Sequence, residues 1–203
     1  MTVPQLEKIA LFPLSNGLFP DSLLMLNIFE VRYLNLMKEC EKSSKPFGVV
    51  WLAEGSEIQT AGKAQVFHAH GTLACINSVD RVHPSLLQVR CTGGLRFSVE
   101  SSELGPFGVW YGNVVYEAQD PPVEIPKKYA LLAERLGQLI ANAQKQNISG
   151  NFPFEAPYRL DEAGWVANRW AELLPFSPQN KLVLLMEKDP LQRLEKIAGL
   201  VEF

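Results

Sequence analysis

Several features that mark familiar protein classes are scarce in this 203-residue chain or missing from it. It has three cysteines with no Cys-x-x-Cys pair, and it has no run of 18 apolar residues. The first residues lack the basic-then-apolar order of a signal peptide. We therefore expect a cytoplasmic protein with no membrane partner, in which the cysteines are buried thiols; a disulfide between two of them stays open.

An excess of positive charge is also missing. The chain has 19 lysines and arginines against 22 aspartates and glutamates, a net charge of −3. A dedicated nucleic-acid binder depends on neutralising phosphates, so this balance disfavours nucleic acid as a partner. With 47% apolar and 20% charged residues, the composition is that of an ordinary globular protein.

The sequence contains no recognisable catalytic motif. Gly62-Lys63 is followed by Ala64 and has no glycine five residues before Gly62, so it is not a phosphate-binding loop. No Gly-x-Ser-x-Gly motif occurs, and the adjacent carboxylates of Asp161 and Glu162 suit the start of a helix better than catalysis. We predict no catalytic residue and no enzyme, with an unrecognised hydrolase as an alternative.

Two histidines are the best candidates for a metal site. His68 and His70 are two residues apart, so on a strand both would point to the same face. A zinc site needs a third and usually a fourth ligand, for which only His83 and scattered cysteines remain. We expect no metal and no cofactor, and whether the two histidines bind anything stays open.

The first 120 residues are predicted to be rich in strands. An apolar strand beginning at Ile9 leads through the Asn16-Gly17 turn to a second strand, Leu23–Ile28, which is predicted to pair with the first. Helical spacing then places four apolar residues on one face, Tyr33, Leu36, Met37 and Cys40. Further along, Thr92-Gly93-Gly94 is predicted to be a hairpin turn between two alternating strands.

Prolines between residues 119 and 126 mark a change of composition, after which the apolar spacing is helical. Asp161 and Asp189 are predicted to cap two of the helices, and Ser177-Pro178 is predicted to open another. The predicted fold is α+β: an antiparallel pseudo-barrel with a short helix over residues 1–120, then a helical bundle over residues 121–203.

Several short motifs carry a resemblance to a known family: Leu11-Phe-Pro-Leu14, Leu18-Phe-Pro20, Ile28-Phe-Glu-Val-Arg-Tyr33, Phe47-Gly-Val-Val50, Gly71-Thr-Leu-Ala74, Gly94-Leu-Arg-Phe97 and Trp170-Ala-Glu-Leu-Leu-Pro175. Through them the chain resembles the Lon protease N-terminal (LON substrate-binding) domain family, as a stand-alone member. One departure is Met25, where the family often has proline.

The resemblance implies a PUA-like pseudo-barrel followed by a helical bundle. In Lon proteases this domain helps to recognise unfolded substrates and to organise the oligomer, and it performs no chemistry. By resemblance we expect a non-enzymatic module that holds unfolded or extended protein segments. A separate ATPase–protease partner and homo-oligomerisation stay open, and RNA binding by a PUA-like barrel is an alternative.

Aromatic residues and prolines in predicted turns are the candidate binding residues, because such positions are often exposed. A small core under a long loop is the expected role of these segments, and the alternative is an apolar groove between barrel and bundle that accepts an extended peptide. For Glu30 and Arg32 we prefer a structural role, in which Glu30 favours the helix start and Arg32 ties down a loop, over a partner-binding ion pair. The candidate peptide-binding residues are Leu18, Phe19, Pro20, Met25, Phe29, Phe152, Phe154 and Tyr158.

Overall fold

The structure is a computed structural model that describes residues 5–58, 64–148, 150 and 152–200. The chain divides into two compact units, Met1–Ala118 and Gln119–Phe203, which are taken in turn. Residues 59–63 lie outside the described residues.

The part of unit 1 that the structure describes forms six strands and one α-helix. In chain order they are β1 (Glu7–Leu14), β2 (Leu23–Ile28), α1 (Val31–Ser43), β3 (Phe47–Glu54), β4 (Val66–His83), β5 (Leu86–Leu104) and β6 (Trp110–Tyr116), with a short 3-10 turn at Pro106–Gly108. The strands form one mixed sheet in the order β2-β5-β4-β3-β1-β6. A further pairing of β5 with β6 closes this sheet on itself and leaves β2 beside the first half of β5.

The predicted pairing of β1 with β2, and the prediction of a purely antiparallel sheet, are wrong. β1 pairs with β3 in parallel, with Leu11 opposite Gly48, and with β6 in antiparallel orientation. Every residue of β1 from Ile9 to Leu14 is buried, so the strand needs neighbours on both edges and cover on both faces. Parallel strands need a long crossover connection, and β2 with α1 supplies it between β1 and β3.

The predicted hairpin turn at Gly93-Gly94 is also wrong, because β5 runs through it without a break. Gly93 is needed for a close approach: a Cβ atom there would lie 2.0 Å from the carbonyl oxygen of Phe19. The Gly93 amide donates to the Ser22 carbonyl at 2.8 Å, and its carbonyl accepts from the Asp21 amide at 2.8 Å. The turn between β4 and β5 falls instead at residues 84 and 85.

The predicted helix is confirmed as α1. Its buried residues include all four apolar positions that the spacing predicts, Tyr33, Leu36, Met37 and Cys40. They pack with Phe12, Phe47 and the inner residues of β2 and β5 in one apolar cluster. A second cluster, built around Leu11, Val50 and Phe97, fills the other side of β1 and β3.

The described residues of unit 2 form four α-helices: α2 (Ala130–Lys145), α3 (Ala163–Leu173), α4 (Pro178–Met186) and α5 (Pro190–Leu200), with a 3-10 turn at Lys127–Tyr129. Helix α3 contacts the other three, and each of its residues from Ala163 to Ala171 is buried. The indole nitrogen of Trp170 donates to the Leu132 carbonyl on α2 at 3.0 Å. Within the described residues, no helix is long and apolar enough to cross a membrane.

The predicted helix start at Ser177-Pro178 and the predicted cap at Asp189 are confirmed. The Ser177 hydroxyl accepts from the Asn180 amide at 3.2 Å, and an Asp189 carboxylate oxygen accepts from the Leu191 amide at 2.8 Å. Asp161 does not cap α3, which begins at Ala163 after Glu162. The Ala163 amide donates to the Val123 carbonyl at 2.8 Å, so the preceding extended segment satisfies the start of this helix.

Candidate functional site

A groove lies beside β2 in unit 1, with a cavity volume of about 210 Å³. It is formed by the end of β1, the outer part of β2, the first turn of α1 and the loop after β3. The lining residues are Phe12, Leu14, Met25, Leu26, Asn27, Ile28, Phe29, Glu30, Tyr33, Glu57 and Ile58. We call this set the β2 groove.

The floor of the β2 groove is apolar and rigidly packed. Leu26 and Ile28 are buried because alternate side chains of β2 point into the core. The rings of Phe12 and Tyr33 stack, with centroids 4.1 Å apart and an angle of 26° between the planes. A floor of this kind presents apolar surface whose shape is set before any ligand arrives.

The rim of the β2 groove carries large apolar side chains that are exposed to solvent. The exposed fraction is 62% for Met25, 52% for Phe29 and 53% for Ile58. Single exposed apolar residues are ordinary, but three around one cavity form the sort of patch that marks an interaction site.

One edge of β2 adds backbone hydrogen-bonding groups to this apolar surface. Within the parts of the chain that the structure describes, β2 pairs with β5 and with no other strand. Along an antiparallel strand, the backbone groups of every second residue bond to the neighbouring strand. The Gly93 amide donates to the Ser22 carbonyl, so the next residues of β2 whose backbone groups bond to β5 are Leu24, Leu26 and Ile28. The amides and carbonyls of Met25 and Asn27 therefore point away from β5.

Arg32 holds the segments around the β2 groove together. Its side chain is 5% exposed, and its guanidinium pairs with the Glu30 carboxylate at 3.0 Å. It also donates to the carbonyls of Gly108, at 2.8 Å, and Glu57, at 3.4 Å. The structural reading of Arg32 is therefore supported, since one side chain ties down the loop after β3 and the loop before β6.

The charged groups of the β2 groove are acidic. Glu30 and Glu57 are the ionisable carboxylates of its lining, which contains no Lys, Arg or His among the described residues. Burial raises the pKa of Tyr33 to about 12, the Arg32 guanidinium opposes this shift, and the Glu30 and Glu57 carboxylates add to it. The Tyr33 hydroxyl therefore stays protonated at neutral pH. It is buried and has no hydrogen-bond partner in the described part of the protein.

Two of the sequence-predicted residues line the β2 groove, Met25 and Phe29. Leu18 and Phe19 are 2% and 1% exposed, and the Phe19 ring packs edge-on against Trp51 with centroids 6.3 Å apart. Pro20 is half-buried. Glu57, Ile58 and Tyr33 were not predicted as site residues, because nothing in their local pattern shows which strands meet there.

The three candidates from unit 2 cluster on α3. Phe152 stacks on Phe154 with centroids 5.1 Å apart, and Phe154 and Tyr158 each meet the Trp165 ring at a steep angle. Phe154 is 2% exposed, whereas Phe152 and Tyr158 are half-buried. The cleft that the sequence predicts between barrel and bundle stays a prediction.

The histidines and cysteines show no arrangement for chemistry. No group of three or more His, Cys, Asp or Glu side chains among the described residues is placed to hold a metal ion. The three cysteines are free thiols, and the prediction that all are buried is wrong for Cys75, which is exposed. Burial raises the pKa of Cys40 to about 11 and that of Cys91 to about 12, so both are protonated at neutral pH.

Comparison with known proteins assigns the family. The model of the ATP-dependent protease La (LON) substrate-binding domain matches residues 8–202. The chain therefore belongs to the LON substrate-binding domain family, and the prediction from the sequence motifs is confirmed. No functionally curated protein matches the chain.

Two solved structures are similar over nearly the whole chain. A Lon N-terminal domain protein from Xanthomonas campestris has a TM-score of 0.75 and 31% sequence identity, over 97% of this chain and 99% of that one. The N-terminal domain of the Mycobacterium avium complex Lon protease has a TM-score of 0.58 and 14% identity, over 95% of this chain and 97% of that one. The second likeness concerns the fold alone.

Proposed function

We propose that this protein is a non-enzymatic substrate-binding module that holds unfolded or extended protein segments in the β2 groove. The observation that carries the proposal is the combination of an apolar groove with an edge of β2 that pairs with no other described strand. Family membership adds the expectation of a protein substrate.

An extended segment fits such a site by adding a strand to the sheet. Its backbone would pair with the outward amides and carbonyls of Met25 and Asn27, whatever its sequence. Every second side chain of the segment would then face the groove and meet Met25, Phe29 or Ile58. Backbone pairing with apolar contacts suits unfolded clients, which share a backbone and exposed apolar residues but no common sequence.

The alternatives gain no support from the site. RNA binding calls for a basic surface, and the lining of the β2 groove carries two carboxylates and no basic residue among those described. No arrangement seen at the site favours an unrecognised hydrolase. The PUA-like and helical-bundle descriptions, the cytoplasmic location, the ATPase–protease partner and the homo-oligomer stay predictions.

Binding of a labelled unfolded segment, followed by fluorescence anisotropy, tests the proposal. Phe29→Ala should weaken the binding of an extended apolar peptide by about five- to thirtyfold, because truncating an aromatic contact residue typically costs about 1–2 kcal/mol. Leu104→Ala is the matched control, since Leu104 is also 52% exposed but does not line the groove.

A second pair of variants separates backbone from side-chain recognition. Met25→Pro removes the outward amide on an edge where proline is tolerated, whereas Met25→Ala removes the side chain and keeps the amide. We expect the proline variant to bind more weakly than the alanine variant. A protein that ignores unfolded segments at tens of micromolar, about −6 kcal/mol of binding free energy, would disprove the proposed function.

A further inference from the structure

The charges at the β2 groove do not balance, and this imbalance bears on which segments it accepts. The following inference rests on the proposed function and makes its substrate class narrower. Glu30 lies 3.0 Å from the Arg32 guanidinium, so its charge is compensated within the protein.

The charge of Glu57 is not compensated in this way. Its carboxylate accepts a hydrogen bond from the Ser15 backbone amide at 2.6 Å, which orients the group without cancelling its charge. The residue is exposed and sits beside Ile58 on the rim. The rim therefore presents a fixed negative charge next to apolar surface.

The Tyr33 hydroxyl lies under the groove, out of reach of a bound segment. Tyr33 lines the same groove and is 2% exposed, and its hydroxyl has no hydrogen-bond partner among the described residues. Buried polar groups are nearly always paired, so an unpaired one calls for an explanation. A ligand in the groove is not that explanation, because the accessible area of this oxygen is below 1 Å². The preference for a charge therefore depends on Glu57.

We propose that the β2 groove selects extended apolar segments that carry a lysine or arginine beside the apolar residues, and that Glu57 recognises this positive charge. The apolar residues of the segment cover Met25 and Phe29 while the cation reaches the carboxylate. Acidic segments of equal apolar content are repelled, so the module distinguishes among unfolded chains.

Three labelled peptides test the inference with the whole protein. They share one extended apolar core and differ only in their flanking residues, which are lysine, serine or glutamate. In the wild type we expect the lysine peptide to bind about two- to fivefold more tightly than the serine peptide, the size of one exposed ion pair. The glutamate peptide should bind more weakly than either.

Glu57→Gln removes the charge and keeps an oxygen that can accept from the Ser15 amide. We expect this variant to bind the three peptides alike. Glu100→Gln is the matched control, because Glu100 is exposed in the same unit and accepts a comparable hydrogen bond from Ser98 at 3.2 Å without lining the groove. It should leave the preference unchanged.

Salt supplies a readout that needs no variant. Raising the ionic strength from about 0.05 M to about 0.5 M should shrink the preference for lysine, since exposed charges are then screened. Equal binding of the three wild-type peptides, or a lysine preference that survives in Glu57→Gln, would overturn the charge preference and leave the proposed function standing. Failure of all three peptides to bind would overturn both.

Discussion

Arg32 illustrates how a single side chain can position a site without lining it. Its guanidinium meets the Glu30 carboxylate and the carbonyls of Gly108 and Glu57, and it lies 4.3 Å from the centre of the Tyr33 ring. A planar group with several donors can hold diverging acceptors at once, whereas a lysine ammonium could not satisfy the same geometry. The sequence shows an arginine after a helix start, but it cannot show which distant carbonyls that arginine will reach.

Tyr33 allows a prediction at the scale of one atom. Tyr33→Phe deletes the unpartnered hydroxyl and keeps the ring that stacks on Phe12. We expect the free energy of unfolding to stay the same or rise by up to about 1 kcal/mol, because an unsatisfied buried group is removed. Urea denaturation measures this change.

The same variant should bind the lysine peptide as tightly as the wild type, because the Tyr33 oxygen is not accessible to a ligand. Weaker binding at unchanged stability would contradict this expectation and show that the groove rearranges to expose the hydroxyl. A loss of stability above about 1 kcal/mol would show that the hydroxyl has a partner in the free protein.

At the scale of elements, β5 shows how the same residues can be read in two ways. A Gly-Gly pair flanked by alternating apolar residues is typical of a hairpin. Here the first glycine lets the Phe19 backbone approach, and the strand continues through both residues. The local pattern shows that a side chain would not fit at the Gly-Gly pair, but it does not show whether the reason is a turn or a close contact.

Two alanine variants distinguish these roles. Gly93→Ala should lower the free energy of unfolding by about 1–3 kcal/mol or more, because its Cβ would meet the Phe19 carbonyl oxygen at 2.0 Å. Gly94→Ala should cost little, since the nearest atoms, Cys75 Sγ and Leu73 Cβ, lie at 3.4 Å. Thermal or urea unfolding of both variants measures the difference, and equal losses would contradict our account of β5.

Local signals explain which other elements could be predicted. The strand Leu23–Ile28, the buried face of α1, the helix start at Ser177-Pro178 and the cap at Asp189 depend on neighbours within a few residues, and all are confirmed. The parallel pairing of β1 with β3 depends on a partner far along the chain, which hydrophobic alternation does not specify. The failure of the Asp161 cap has the same cause, because Val123 satisfies the start of α3.

For the molecule as a whole, two buried thiols and one buried tyrosine hydroxyl make the free energy of unfolding depend on pH. Burial raises the pKa of Cys40 and Cys91 from 9.0 to about 11 and about 12, and that of Tyr33 from 10.0 to about 12. Above pH 9 the unfolded chain releases protons that the folded chain retains. The contribution of these groups to the free energy of unfolding is therefore fully present below pH 9, and it is lost as the pH rises towards about 12.

Denaturant titrations at a series of alkaline pH values measure this dependence. Each group that is ionised only in the unfolded chain contributes up to about 1.4 kcal/mol per pH unit. Cys91→Ala should show a shallower decline than the wild type, because it removes one such group. A decline equally steep in the variant would contradict the assignment to Cys91.

The site could be predicted from the sequence only in part. The motifs around Phe29 place the chain in its family and point to Met25 and Phe29, which lie on the rim of the β2 groove. The sequence could not show that Phe19 would pack edge-on against Trp51, or that Glu57 would line the same groove as Met25. These facts arise from the order of strands in the closed sheet, which is a property of the whole unit.

That strand order also has a consequence for biosynthesis. β1 pairs with β6, so Glu7 finds Val114 only after most of unit 1 has left the ribosome. Until then one side of the first strand has no permanent neighbour, and closing so long a loop is among the slower steps of folding. A nascent chain whose part outside the ribosome ends before Trp110 should be cleaved readily by proteases. One whose part outside the ribosome extends past Tyr116 should resist cleavage.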